Sequence, residues 1–198
     1  MTRLLAIADK EDDVLCARLE RREVGYVDAV ISCGDLDPSY LDYVATMAHA
    51  PLLYVLGNHD TNEDAFVEMG GDHIDGRIVR IGGLRIAGLD GSLDYRDGIV
   101  GFSEREMRVK AMRLAMLATL TGGIDVLVTH APVRGHGDLD DRPHQGFECF
   151  NWLLNLLHPK ALLHGHVHLD YGMIQREVSH PSGARVINAY SHYLVEDF

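Results

Sequence analysis

Positive charge is scarce in this chain. Its 198 residues carry 18 Lys and Arg against 30 Asp and Glu, a formal net charge of −12. No basic stripe offsets the acid, so tight binding to a nucleic-acid backbone, which needs local positive charge, is disfavoured. Long apolar runs are missing too. None approaches the roughly 18 residues of a membrane span, and the opening MTRLLAIADKEDD turns acidic too early for a secretory signal. A soluble cytoplasmic protein without membrane partners is expected. Cysteine is limited to Cys16, Cys33 and Cys149; an odd number without CxxC spacing argues against a disulfide framework and against a cysteine zinc site. No repeat, low-complexity segment or Pro/Ser-rich linker divides the chain. One domain over residues 1–198 is expected, large enough to bury a core without covalent or metal staples.

What the chain does have is a recurring pattern of a short apolar run followed at once by a polar residue. RLLAIA ends at Asp9, VDAVISC at Gly34 and Asp35, PLLYVL at Gly57, Asn58, His59 and Asp60, IDVLVT at His130, and KALLH at Gly165 and His166. Continuous apolar runs of this length suit strands buried on both faces. Helical patterns separate them over residues 12–24, 38–49 and 146–158, the second opening at Pro38 and the third stopped by Pro159. Strands alternating with helices predict βαβ units and a largely parallel sheet. In such sheets ligands bind beyond the carboxyl ends of the strands, where five runs here place Asp, Asn or His. RIVRIG with LRIAGLDGS, and YGMIQREV with ARVINAY, read as hairpins. Residues 103–120 predict a long helix whose Met107, Ala111, Leu114 and Ala118 face the core.

The segment ALLHGHVHLDY poses the sharpest question, because His164, His166 and His168 alternate. Imidazoles so spaced can converge on a metal, or can simply pack on one strand face. The surrounding motifs decide between these. Asp9, the Gly34–Asp35 pair, GNHD at Gly57–Asp60, Thr129–His130 and GHVH at Gly165–His168 together resemble the calcineurin-like metallophosphoesterase family, in the family's order and over nearly the whole chain. The resemblance implies an α/β fold of two packed mixed β-sheets flanked by helices, an αββα sandwich. It also implies hydrolysis of a small phosphoester, phosphodiester favoured, by a hydroxide bridging two divalent ions. Carried over residue by residue, one ion is held by Asp9, Asp35 and His168, and the other by Asp35, Asn58, His130 and His166. His59 then serves the leaving oxygen, with Asp60 orienting it, and His164 is a bystander or a support.

One position departs from the family. Its first block is D-x-H, whereas here Asp9, Lys10 and Glu11 stand in line. Glu11 either ligates, acts through water, or leaves that site weakened. Ligation by oxygen favours manganese or iron over zinc, with zinc or magnesium as alternatives for the two ions, and the added negative charge disfavours a dianionic monoester. In the polar segment 131–146, Arg134 and His136, with Arg142 and His144, are candidates for contacting phosphate. Two rival readings remain: a metal-binding or protein-interaction scaffold that has lost catalysis, and a phosphomonoesterase or phosphoprotein phosphatase.

Overall fold

The computed structural model describes residues 2–196, the side chain of Glu63 excepted. In chain order the elements are β1 (Leu4–Ala8), α1 (Asp13–Glu20), β2 (Ala29–Ser32), α2 (Pro38–Ala48), β3 (Leu52–Tyr54), α3 (Glu63–Met69), β4 (Asp72–His73), β5 (Ile78–Ile81) and β6 (Leu84–Leu89). They continue with β7 (Ser92–Leu93), β8 (Gly101–Phe102), α4 (Glu104–Thr121), β9 (Val126–Thr129), α5 (Glu148–Leu157), β10 (Ala161–His164), β11 (Glu177–Ser179), β12 (Arg185–Asn188) and β13 (Ser191–Val195).

Two mixed sheets result, in the orders β13-β1-β2-β3-β4 and β11-β12-β10-β9-β6-β5. Their interiors are parallel, and antiparallel strands close three of the four edges: β13 on β1, β11 on β12 and β5 on β6. Alternation along the strands explains the layering. Leu4, Ala6 and Ala8 of β1 pack with Ile31, Val126, Val128 and Leu163 between the sheets. Leu5 and Ile7 point the other way, onto Leu15, Leu19, Leu41 and Val44 of α1 and α2. Across the molecule, Leu127, Leu162 and Val186 meet Met107, Leu114, Phe150 and Leu153 of α4 and α5. The order is therefore helix, sheet, sheet, helix, as the resemblance implies.

Local chemistry sets the helix ends. Asp12 accepts from the Val14 and Leu15 amides to start α1, Pro38 opens α2 behind Asp37, and Ser103 with Glu106 forms a capping box on α4. The predicted core face of α4, Met107 through Ala118, is buried, and both hairpins form. Helix α1 stops four residues earlier than the sequence pattern predicts. Strand β13 is absent from that pattern because SHYLV is an edge strand, only partly buried at most positions, so it shows no continuous apolar run. Among the described residues, no helix is long and apolar enough to cross a membrane.

Candidate metal centre

The carboxyl ends of β1, β2, β3, β9 and β10 open on one side of the sandwich into a cavity of about 520 Å³. Asp9, Asp35, Asn58, His166 and His168 line it, with His59, Tyr95, His144 and Tyr171 around them. Three of these residues leave their strands in the left-handed region, Asp9 at φ 63°, Asp35 at φ 57° and His166 at φ 69°. That conformation costs an L-residue on the order of 1–2 kcal/mol, and hydrogen bonds hold each one in place. The His166 amide donates to both carboxylate oxygens of Asp9, at 2.9 Å each. The Asp35 amide donates to Asp60 Oδ2 at 2.8 Å, and the Asp9 amide donates to the Gly34 carbonyl at 3.2 Å.

Ring orientation shows that the residues suit a cation. His130 Nδ1 lies 2.8 Å from the Cys33 carbonyl, and His166 Nε2 lies 2.6 Å from the Pro143 carbonyl. A carbonyl only accepts, so both of those nitrogens carry their protons. In the neutral rings the remaining nitrogens, His130 Nε2 and His166 Nδ1, then turn bare lone pairs toward each other at 3.1 Å. Asn58 Oδ1 stands 2.9 Å from His130 Nε2, and Asp35 Oδ2 stands 3.3 Å from it. Four acceptors converging this closely repel one another unless a positive charge sits among them. A separation near 3 Å is also the spacing of neighbouring ligands around an ion with bonds of about 2.1 Å. Asp35, His130 and His166 thus form a candidate metal-binding group.

The electrostatics agree. Burial opposes charging of His130, but the Asp35 carboxylate outweighs it and raises the ring to about 9. Burial likewise pushes Asp35 upward, yet His130 holds it at about 2. A proton on His130 therefore stands in for the cation. Burial, together with the His130 charge, pushes His166 down to about 3. Burial also drives Asp9 up to about 7, with the Asp35 charge adding to it. His168 Nε2 is 4.0 Å from Asp9 Oδ1, its ring stacked on Tyr171.

No family model matches the chain, and no curated protein matches it. Solved structures match it in shape. One, 13% identical, aligns over 98% of this chain and 94% of its own with a TM-score of 0.72. A single-substitution variant of Vps29 from Entamoeba histolytica, 16% identical, aligns over 99% of this chain and 86% of its own with a TM-score of 0.51. The chain has the calcineurin-like metallophosphoesterase fold.

Within this metallophosphoesterase fold the sequence candidates fall into two groups. Asp9, Asp35, Asn58, His59, Asp60, His166 and His168 line the cavity, and His130 lies buried beneath it. Glu11 is exposed and does not join them. The Lys10 amide closes a tight turn on the Ala8 carbonyl at 2.7 Å, and Asp12 is committed to capping α1, which carries Glu11 outward. Asp60 has a different task from the one expected. Its Oδ2 accepts from the Gly57 and Asp35 amides, tying two loops together, whereas the contact of the His59 ring is to Arg96. In segment 131–146, His144 reaches the cavity. Arg134 stands 3.9 Å from Asp138 and His136 packs edge-on against His180, both off the wall. His164 is buried with Nδ1 on the Gly165 carbonyl and remains outside the donor group.

Tyr95, Arg96 and Tyr171 carry no strand-end signal, and the sequence pattern misses them. Tyr95 accepts from Asn58 Nδ2 at 3.3 Å, which turns the Asn58 oxygen toward the donors. Tyr171 stacks on His168 at 4.8 Å and meets His144 edge-on at 5.2 Å.

Proposed function

We propose that this protein is a metal-dependent phosphoesterase acting on small phosphoesters, with diesters favoured. The observation that carries this reading is the convergence of His166 Nδ1, Asn58 Oδ1 and Asp35 Oδ2 on His130 Nε2, beside an accessible cavity. Asp35, Asn58, His130 and His166 would hold one divalent ion, and Asp9, Asp35 and His168 a second. Such ions, when bound, polarise a phosphoryl oxygen and activate water near neutral pH. The mixed nitrogen and oxygen donors suit manganese or iron.

The remaining work belongs to the chain. His59 lines the cavity and is exposed, placed to stabilise the leaving oxygen by a hydrogen bond from its ring. Its amide donates to Asp35 Oδ1 at 2.8 Å, which fixes the shared carboxylate relative to the proton donor. Tyr171 and His144 line the cavity beside His168. Four carboxylates line the cavity, Asp9, Asp35, Asp37 and Asp60. That charge supports a monoanionic diester over a dianionic monoester.

Reconstitution with manganese, iron, zinc or magnesium separately, followed by assay on bis-p-nitrophenyl phosphate and p-nitrophenyl phosphate, tests the reading. Diester turnover above monoester turnover, abolished by a chelator, is expected. Failure to hydrolyse either ester with any of the four metals would overturn it. A second reading, a metal-binding scaffold without catalysis, draws support from Glu11, whose exposed position leaves only three protein groups for the second ion.

A further inference from the structure

The cavity wall has four carboxylates and, among the described residues, no Lys or Arg. Ions held by Asp9 and Asp35 would offset those two carboxylates, but Asp37 and Asp60 stay without a cation on the wall, so a cation at the mouth would add to the hold on an entering anion. Arg134 does not fill that role, since it faces Asp138 off the wall.

The loop between β7 and β8 does supply one. Arg96 Nη2 lies 3.5 Å from His59 Nδ1, and its guanidinium sits over the Tyr95 ring, 5.5 Å from the centroid. A guanidinium has only donors, so His59 Nδ1 must accept. The ring then carries its proton on Nε2, the nitrogen left for a ligand. The loop is anchored at several points. The Asp94 amide donates to the Phe102 carbonyl at 3.0 Å and the Val100 amide to the Asn58 carbonyl at 3.0 Å. Tyr95 accepts from Asn58, and Arg142 donates to the Asp94 carbonyl at 3.5 Å. Arg96 is exposed, and its hydrogen bond to His59 occupies one of five N–H groups, leaving fork geometry for a second acceptor.

We infer that Arg96 is an anion-binding group of this site, holding non-bridging oxygens of a phosphoester beside the His59 Nε2–H. The identity of the ligand rests on the phosphoesterase reading. The two non-bridging oxygens of a diester match the two parallel N–H bonds of a guanidinium, which a lysine ammonium cannot reproduce.

Inorganic phosphate is the probe, titrated into manganese-loaded protein by calorimetry for wild type, Arg96→Gln and Arg96→Lys. Arg96→Gln is expected to weaken phosphate binding by roughly ten- to a hundredfold, with Arg96→Lys in between. The manganese-induced rise in Tm should be the same in all three, which shows that the fold and ion site are intact. On the diester substrate, KM should rise more than kcat falls. Phosphate affinity in Arg96→Gln within about twofold of wild type, or no phosphate binding by wild type, overturns the inference. Arg96-dependent phosphate binding in a protein that hydrolyses neither ester leaves the inference standing and removes the phosphoesterase reading instead.

Discussion

His130 and His166 owe their chemistry to backbone carbonyls far away in sequence, Cys33 and Pro143, which take up one nitrogen each and leave the other bare. His59 differs in having its ring on the cavity wall and outside this donor group. His59→Ala is therefore expected to keep metal binding and to lower kcat by about 10²- to 10⁴-fold on a substrate with a poor leaving group. Calorimetric metal titration beside the assay separates the two effects, and loss of the ion would reassign His59 to a structural role. Glu11 is the matched contrast. Because it is exposed and off the cavity, Glu11→Ala should leave metal affinity and turnover within about twofold of wild type, as for ordinary surface substitutions. A marked loss of metal affinity would show that Glu11 swings in to ligate.

At the level of elements, the loops after β2 and β3 are packed backbone to backbone. A Cβ at Gly57 would collide with the Asp35 carboxylate, and one at Gly34, which sits at φ 95°, would meet the Gly57 amide and His130 Nδ1. Asp60 then binds both loops through one oxygen. Burial first, and the Asp35 charge second, raise Asp60 to about 6, the result of drawing two carboxylates into one crowded corner. Gly57→Ala must push Asp35 aside, so it should cost about 1–3 kcal/mol of stability and weaken metal binding together. Thermal unfolding with and without manganese measures both. An unchanged metal-induced shift would mean that the loops have room to part without moving the ligands.

Over the whole molecule, two parallel-cored sheets face each other so that five strand ends share one edge, and the candidate ion site lies where the sheets meet. Asp35 and Asn58 come from the first sheet, His130 and His166 from the second. This junction gives metal binding a definite pH dependence. A proton and an ion compete for His130 Nε2, and Asp35 holds that proton until about pH 9 against the burial that disfavours it. Apparent metal affinity should rise with pH, by up to about tenfold per unit for one displaced proton, and level off above about 9. Below that value, ion binding should release protons, visible as a buffer-dependent enthalpy in calorimetry. Affinity that is flat with pH, or that falls as pH rises, would remove His130 from the ligand set.

The sequence by itself determined the buried strands β1, β2, β3, β9 and β10 and the polar residues that follow them, because a fully buried strand is written as an unbroken apolar run and its exit to solvent as an abrupt polar residue. The positions of Asp9, Asp35, Asn58, His130 and His166 beyond the strand ends were legible for that local reason, as was the buried face of α4 from its helical spacing. Which way each side chain turned after the strand was decided only by the tertiary structure. The left-handed backbone at Asp9, Asp35 and His166 is held by hydrogen bonds to other loops, and the same crowding carries Glu11 outward and sends Asp60 to two amides. Tyr95 and Arg96 were invisible in sequence because they lie on an irregular loop, and Tyr171 because it closes a single 3-10 turn, neither of which has a periodicity to mark it. Their place beside the cavity is set by long-range contacts, such as that between Tyr95 and Asn58, which no pattern in a single chain records.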